Sequence, residues 1–436
     1  MDIGEPVSIA MPEPESPLDP KEEDKKKHVK IRVCVFFDGT CNNRVNTQGR
    51  LDQSAAYQKD KGKKDQAKSD SYENDFTNVA KMEPYVDTAK PAPDYTLALK
   101  TYIEGPGTTN NASDSTLGYG IGMGATGVRE KVKKGILDVV KKIGVELPKK
   151  SETIIDLLTL DVFGFSRGAA GARNFIHEAL FGSSSIKQQL VDQGYTVTQV
   201  DVCFAGLYDT VSSHGLSFSN DTGDLKLHAV AHAKAVLHLA AAEEHRENFS
   251  LTDIASAGKK GREIYLPGVH SDVGGSYRDA APEAHALYSG SDAQAAAEDR
   301  VQLRAAGWFG EREITLKEFR SGEDDFVTLT VTRARISNHY SRIPLHIMAS
   351  AARENGIVFR IDFDRVEEIP AALSAVQQKI DAYVASTSSS KAEDWHHNEP
   401  WLCDLRHAYL HFSAKHEFGL KPRFINGKRR RMVYSG

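Results

Sequence analysis

The stretch IIDLLTLDVFGFSRGAAGARNFIHEAL (Ile154 to Leu180) decides the fold of this 436-residue chain. Its first half is an apolar run without polar alternation, which is typical of a strand buried on both faces of a sheet. A turn flanked by glycines, GFSRG (Gly164 to Gly168), follows the run and leads into an alanine-rich helix. Because this order of strand, loop and helix recurs along the chain, we predict an α/β fold with a mostly parallel sheet covered by helices on both faces.

Four more strands are predicted where apolar runs end at polar loops: VKIRVCVFFDGT (29–40), YTLALKTYIEG (95–105), VTQVDVCFAGLYDT (197–210) and REIYLPGVHSD (262–272). An amphipathic helix is predicted from Val128, because its apolar residues recur at helical spacing. A second, alanine-rich helix is predicted over LHAVAHAKAVLHLAAAEEHRE (227–247). The polar stretch 42–71 is interpreted as a long solvated insertion.

Composition excludes several classes of protein. The formal net charge is −5, which provides no overall basic field for nucleic acid, and no nucleic-acid partner is predicted. The 4 cysteines form no CxxC pair, so neither a disulfide framework nor a metal knuckle is expected. Residues 1–30 lack signal-peptide features and no apolar stretch reaches membrane-spanning length. We therefore expect a soluble cytoplasmic chain, which needs a dedicated machine if it acts outside the cell.

GFSRG matches the G-x-S-x-G pattern in the context that this pattern requires, between a buried strand and a helix of small residues. The sharp turn exposes Ser166, and the helix start directs N–H groups at a developing negative charge. In α/β-hydrolases the acid and the base follow the serine in that order along the chain. The next two strand ends provide Asp209 and His270, and strand ends of a parallel sheet converge at one edge. The sequence therefore predicts the triad Ser166, Asp209 and His270.

Other residues near strand ends stay open as alternatives. Asp272 follows the predicted base by two residues and could be the acid, while Asp209 could be only a turn cap. LRHAYLHFSA (405–414) is interpreted as a last strand, where most hydrolases of this class place the base, so His407 and His411 are alternative bases.

Three sequence patterns could indicate a metal or nucleotide site, but each also fits ordinary packing. His228 and His232 have the i,i+4 spacing of a metal pair, but no HExxH glutamate accompanies them. GMGATG (122–127) matches G-x-G-x-x-G, yet no strand precedes it and no P-loop lysine follows. His270 with Asp272 is a third possible metal pair. The prediction is that the protein uses neither a metal nor an organic cofactor.

Several motifs, in order, resemble an α/β-hydrolase domain family that includes the Tle phospholipase effectors of bacterial type VI secretion, its first class above all. They are FFDGTCNN, TNVAKM, YIEGPGT, GFSRGAAGAR, GLYDTV and PGVHSDVGGSY, within about residues 30–280, and more loosely SRIPL and the tail NGKRRRMVYSG. The aromatic residue usual after FDGT is Cys41 here. The resemblance implies a phospholipase A acting on membrane glycerophospholipids, and it places nucleophile, acid and base on Ser166, Asp209 and His270. It also implies a type VI delivery component, export without a signal peptide into a rival's periplasm, and an immunity protein.

Four regions are expected: a disordered tail (1–28), the α/β-hydrolase core (29–279), a cap or insertion subdomain (280–400), and a last strand with a basic C-terminal tail (401–436). A strand pair is predicted over EITLKEF and FVTLTVTRARI, in the third region. The basic run Lys428, Arg429, Arg430 and Arg431 is a candidate membrane contact, although the same residues could pair with acidic groups on the folded body.

The oxyanion hole is expected to use the N–H of Arg167, the residue after the nucleophile, and an N–H of the first strand's turn, at Gly39 or Thr40. Asp38 is expected to hold that turn by hydrogen bonds rather than to take part in chemistry. The chain is thus predicted to be a serine esterase on phospholipid. The alternatives are an esterase on a small soluble substrate and a catalytically idle interaction or adaptor module.

Overall fold

The computed structural model of the chain describes residues 26–62, 69–115, 126–212, 222–321, 324–387, 390–425 and 428–436. The predicted tail (1–28) lies outside the described residues as far as residue 25, and the first strand already begins at Lys27. Most of the glycine-rich stretch 122–127 also lies outside them.

The strands of the described residues are β1 (Lys27–Phe37), β2 (Leu97–Ile103), β3 (Thr153–Phe165), β4 (Thr196–Tyr208), β5 (Ala233–Ala241), β6 (Leu251–Thr252), β7 (Gly261–Leu266), β8 (Ala281–Gly290), β9 (Ile314–Ser321), β10 (Asp324–Ile336), β11 (Phe424–Ile425), β12 (Lys428–Arg429) and β13 (Val433–Tyr434).

The α-helices of the same residues are α1 (Arg44–Leu51), α2 (Ala55–Lys61), α3 (Asp70–Glu73), α4 (Asn78–Met82), α5 (Val128–Glu146), α6 (Arg167–Phe181), α7 (Ile186–Asp192), α8 (His270–Gly274), α9 (Ala293–Ala305), α10 (Arg342–Glu354), α11 (Phe363–Val366), α12 (Ser374–Ser386) and α13 (Pro400–Tyr409). Single 3₁₀ turns connect them, such as Leu227–His232 before β5.

A six-stranded sheet forms the centre of the fold, in the spatial order β2-β1-β3-β4-β5-β7, and every neighbouring pair is parallel. The inner strands β1 and β3 are buried on both faces over most of their length, which explains their unbroken apolar sequences. Along β1, Val35 and Phe37 pack with α5 and α6 on one face, whereas Phe36 packs on the other. The predicted mostly parallel α/β sheet with helices on both faces is confirmed.

The region 280–400 covers the second face of this sheet rather than standing apart from it. Leu345 and Met348 of α10 belong to the same buried cluster as Phe163 of β3. The strand pair predicted here exists as β9 and β10, and β8 adds a third antiparallel strand on the other side of β10.

Two predicted elements are wrong, and each has a physical reason. The alanine-rich helix over 227–247 is instead a 3₁₀ turn followed by β5, because this segment lies between β4 and β7, where strand pairing outweighs helix propensity. The predicted last strand over 405–414 is wrong: residues 405–409 are the end of α13, and residues 410–414 form neither helix nor strand. Pro400 begins that helix, and Leu402 and Leu405 are buried at helical spacing.

The stretch 42–71 is not a solvated insertion throughout. It contains α1 and α2, and Asn46 and Tyr57 are buried within them. The Asn46 side chain donates to Ser71 Oγ and to two backbone carbonyls, so its polar groups are satisfied inside the protein. Residues 63–68 within it are outside the described part of the chain.

Candidate active site

The carboxyl ends of four parallel strands meet at one edge of the sheet. The turn after β1 brings Asp38, the end of β3 brings Ser166, the end of β4 brings Asp209, and the loop after β7 brings His270. A cleft of about 700 Å³ opens here, and its lining includes Thr40, Ser166 and His270. The structure therefore brings these four residues to one edge of the sheet, where the strand ends of an open parallel sheet are expected to converge.

Ser166 lies on a strained turn between β3 and α6. Its φ of 59° and ψ of −129° fall in a region that residues with a Cβ rarely adopt. The backbone compensates, because the Ser166 N–H donates to the Tyr208 carbonyl at 3.0 Å and the Ser166 carbonyl accepts from the Ala169 N–H at 3.0 Å. A Cβ at Gly164 would lie 2.5 Å from the Ala169 Cα, so only glycine permits the chain to fold this sharply.

The turn after β1 is pressed against the start of α6. A Cβ at Gly168 would lie 2.2 Å from the Asp38 carbonyl oxygen, which shows how closely the two backbones approach. The N–H of Arg167 lies at the start of α6, directly after Ser166. The Gly39 N–H donates to Asp38 Oδ1 at 2.8 Å, while the Thr40 N–H has no acceptor in the part of the chain described. Thr40 is therefore a better candidate than Gly39 for the second oxyanion donor, beside the N–H of Arg167 that the sequence predicts as the first.

This close approach predicts opposite effects for two glycines of α6. We expect Gly168→Ala to destabilise the fold by about 1–3 kcal/mol, because the new methyl overlaps the Asp38 carbonyl. We expect Gly171→Ala to stabilise it by up to about 1 kcal/mol, because its Cβ would meet only ordinary contacts and alanine favours the helix. Urea unfolding of both variants is the measurement, and a Gly168→Ala protein as stable as Gly171→Ala would contradict the described packing.

Asp38 is a buried anchor for the turn. Its Oδ1 accepts from the Gly39 N–H and from Thr77 Oγ1 at 2.7 Å, and its Oδ2 accepts from the Tyr102 hydroxyl at 2.5 Å. Burial raises the pKa of Asp38 to about 6, against the lowering effect of these three hydrogen bonds. These three bonds tie the turn after β1 to Thr77 and Tyr102, and a purely structural role for Asp38 stays a prediction.

Asp209 and His270 form a direct pair. The distance from His270 Nδ1 to Asp209 Oδ2 is 2.5 Å, and the Asp209 side chain is completely buried. The Ala241 N–H donates to Asp209 Oδ1 at 2.8 Å, which fixes the carboxylate at the ends of β4 and β5. The His270 ring lies 4.5 Å, centroid to centroid, from the ring of Phe165, the residue before Ser166.

The electrostatics of the pair favour a charged Asp209 carboxylate and a neutral His270 imidazole. Burial alone would raise the pKa of Asp209, but the charge of Arg431 and the hydrogen bond from His270 lower it well below its ordinary value. Burial lowers the pKa of His270, and Asp209 opposes part of that effect. At neutral pH the imidazole is therefore neutral, its Nδ1 proton faces Asp209, and its Nε2 can accept a proton.

Arg431 is the site residue that sequence reasoning missed. Its Nη1 and Nη2 donate to the two carboxylate oxygens of Asp209 at 2.6 and 2.8 Å. The predicted membrane role is thereby corrected for Arg431, because its side chain is only 5% exposed. Arg429 is also mostly buried and pairs with Asp299, whereas Arg430 and Lys428 are exposed. No local signal in the run Lys428 to Arg431 distinguishes the buried arginines from the exposed one.

Asp272 and His411 form a separate pair in the same region. His411 Nδ1 lies 2.8 Å from Asp272 Oδ1, and the Val269 N–H donates to Asp272 Oδ2 at 3.1 Å. Asp272 therefore caps α8, the helix that begins with His270, and links it to the segment after α13. The structure keeps this pair apart from the bond between Asp209 and His270.

The remaining histidine candidates have other partners or surroundings. His407 lies 2.8 Å from Glu313 on the surface. His228 and His232 lie in the 3₁₀ turn before β5, and not in an α-helix, which would place residues four apart on one face. Among the residues that the structure describes, no group of three His, Cys, Asp or Glu side chains could hold a metal ion. In the same residues, no helix is long and apolar enough to cross a bilayer.

The model of the family "T6SS, Phospholipase effector Tle1-like, catalytic domain" matches residues 177–296 of the chain. The resemblance to the Tle effectors is confirmed. The matched segment contains Asp209, His270 and Asp272 and begins after Ser166. A comparison with curated proteins returns no significant match.

Two solved structures are similar to this chain, to different degrees. A Tle1 effector, in a structure of that protein bound to the VgrG spike of the type 6 secretion system, has a TM-score of 0.63 with this chain at 23% sequence identity, and the match covers 89% of this chain and 85% of that one. An uncharacterized protein from Pseudomonas aeruginosa matches at a TM-score of 0.45 and 18% identity, over 85% of this chain and 52% of the other. The similarity to Tle1 shows a shared α/β-hydrolase-like fold.

Proposed function

We propose that the protein is a serine ester hydrolase with Ser166 as nucleophile, His270 as base and Asp209 as acid. The observation that carries this proposal is the 2.5 Å contact between Asp209 and His270 in a cleft that Ser166 also lines. The strained turn at Ser166 is the backbone geometry that a nucleophile at a strand end requires.

The proposed reaction uses each group in turn. His270 Nε2 takes the proton of the Ser166 hydroxyl as its oxygen attacks the carbonyl carbon of an ester, and a tetrahedral intermediate forms. The N–H groups of Arg167 and Thr40 stabilise the oxyanion. His270 then returns the proton to the leaving alcohol, and water releases the acid from the acyl-enzyme by the same steps. Asp209 holds the imidazole in the required tautomer.

Membrane glycerophospholipid is the proposed substrate, with cleavage of an acyl ester as in a phospholipase A. Two observations support it: the phospholipase family model over 177–296, and an exposed phenylalanine at the rim of the cleft, Phe418, described below. A type VI spike component is proposed as the delivery partner, since the similar Tle1 is a protein bound to VgrG. The proposal also includes antibacterial action in a target periplasm and an immunity protein in the producing cell.

Fatty-acid release tests this function against its rivals. The wild-type protein is mixed with phospholipid vesicles and, separately, with a soluble short-chain ester. Hydrolysis of both, with the higher rate on vesicles, is the expected result. Cleavage of the soluble ester alone would favour a small soluble substrate, and cleavage of neither would favour an idle interaction module. Chelator is included because loss of activity in its presence would revive a metal role for His270 with Asp272.

Phe418 lies on a tight loop at the mouth of the cleft and is 91% exposed. The loop is held by backbone bonds, from the Lys415 N–H to the Leu420 carbonyl at 2.9 Å and from the Asn248 N–H to the Gly419 carbonyl at 3.3 Å. An exposed aromatic ring on a fixed loop next to the site is suited to insertion into a lipid surface.

We expect Phe418→Ser to weaken binding to phospholipid vesicles about tenfold, because burial of a phenylalanine side chain is worth about 1.5–3 kcal/mol. Its rate on the soluble ester should stay unchanged. Ile361→Ser is the matched control, since Ile361 is 99% exposed and is not among the residues that line the cleft. Vesicle co-sedimentation is the measurement. Equal vesicle binding by both variants would show that the Phe418 loop does not contact the lipid.

A further inference from the structure

The segment that carries Arg431 reaches the active site from the other end of the chain. Strand β13 pairs in parallel with β6, and the Leu251 N–H donates to the Met432 carbonyl at 2.9 Å. The Asp253 N–H donates to the Tyr434 carbonyl at 2.9 Å. These backbone bonds hold the segment in place independently of the Arg431 side chain.

All three guanidinium nitrogens of Arg431 have acceptors at the site. Nη1 and Nη2 bind the two oxygens of Asp209, and Nε donates to the Phe249 carbonyl at 2.6 Å. A planar arginine fork bound to both oxygens restricts rotation of the carboxylate, which a single hydrogen bond does not. The ring of Phe249 lies 5.1 Å from that of His270, centroid to centroid. The bond from Arg431 to the Phe249 carbonyl therefore also holds the aromatic residue that packs against the imidazole.

We propose that Arg431 is a positioning residue for the reaction: it fixes the plane of the Asp209 carboxylate and balances the charge of that carboxylate beside His270. This inference rests on the proposed serine hydrolase function. Arg431 acts through Asp209 and touches neither the substrate nor the reacting atoms.

Among the described charged groups around the pair, Arg431 is the cation that bonds directly to the Asp209 carboxylate. Glu244 lies close to His270, whose backbone N–H donates to Glu244 Oε2 at 3.3 Å, but the Arg246 guanidinium pairs with the Glu244 carboxylate at 2.8 Å. Tyr265 is the other titratable group near Arg431, and burial raises its pKa so that it stays neutral. Without the Arg431 charge, the field of Asp209 would act on His270 with less opposition. The imidazolium would be stabilised and the pKa of His270 would rise.

Arg431→Gln and Arg431→Lys separate charge from geometry, and Arg430→Gln is the control one residue away on the exposed side. Activity on a soluble short-chain ester is measured against pH, together with the melting temperature. For Arg431→Gln we expect kcat to fall at least about tenfold at nearly constant KM. The acid limb of the pH profile should move up by about one pH unit. For Arg431→Lys we expect a smaller loss of kcat and an acid limb at the wild-type position. Arg430→Gln should behave as the wild type.

Each other result has a defined meaning. A loss of kcat in Arg431→Gln with an unmoved acid limb would overturn the proposal and leave a purely structural ion pair. If Arg431→Gln does not fold, Arg431→Lys decides, because wild-type kcat in that variant would show that the bidentate geometry is not needed. A wild-type protein that cleaves no ester would refute the proposed function itself, which is distinguishable from both outcomes.

Discussion

Ser166→Ala is expected to lower kcat for ester hydrolysis by at least about a thousandfold, with KM little changed, because the nucleophile acts in the chemical step. The melting temperature should stay close to that of the wild type. The bonds that hold the turn come from the backbone N–H and carbonyl of Ser166, and these remain in the alanine variant.

Ser271→Ala is the matched control, since Ser271 also lines the cleft and its hydroxyl accepts a hydrogen bond from Ser276 at 3.0 Å. It should keep most of the activity. Initial rates on the soluble ester and thermal unfolding are the measurements. An active Ser166→Ala protein would refute the proposed nucleophile, and a loss confined to Ser271→Ala would move it to the start of α8.

Asp209→Asn is expected to reduce kcat by about 10³–10⁴-fold, because an amide cannot accept hydrogen bonds at both positions where the carboxylate now does. At the Oδ1 position its NH2 group would face two donors, the Ala241 N–H and Arg431, whereas at the Oδ2 position it can donate to His270 Nδ1, so the second orientation is favoured. The imidazole would then be held in the wrong tautomer, with its proton on Nε2, where it cannot accept the proton of Ser166.

Asp272→Asn provides the comparison within the same cleft region. Asp272 caps α8 and pairs with His411, so its replacement should lower stability and affect kcat much less than Asp209→Asn. Kinetics of both variants, with His270→Ala and His411→Ala beside them, decide the assignment. Greater losses in Asp272→Asn and His411→Ala would move acid and base to that second pair.

Much of the sheet could be predicted from the sequence because its signals are local. A strand buried on both faces needs an unbroken apolar run, and a sharp strand-to-helix turn needs glycines where a Cβ would collide, as at Gly164 and Gly168. The convergence of Ser166, Asp209 and His270 follows from parallel topology, which the order of strands and helices already indicates.

Local composition gave the wrong secondary structure in two segments, because contacts with distant parts of the chain decide their conformation. The segment 233–241 has the alanine-rich composition of a helix, yet it becomes an inner strand, because pairing on both sides outweighs its intrinsic propensity. The same holds for 405–409, where packing at helical spacing replaced the expected strand.

The sequence by itself determined the turn at Ser166 and the strand ends that meet beside it. Only the tertiary structure decided that His270, rather than His411, pairs with Asp209. It also decided that Arg431, a member of the basic run, binds the carboxylate of a residue 222 positions earlier in the chain. The physical reason is that an ion pair depends on distance in space and on burial. A run of like charges in the sequence reports neither of these, whereas the glycine turn and the apolar strand are imposed by neighbouring residues along the chain.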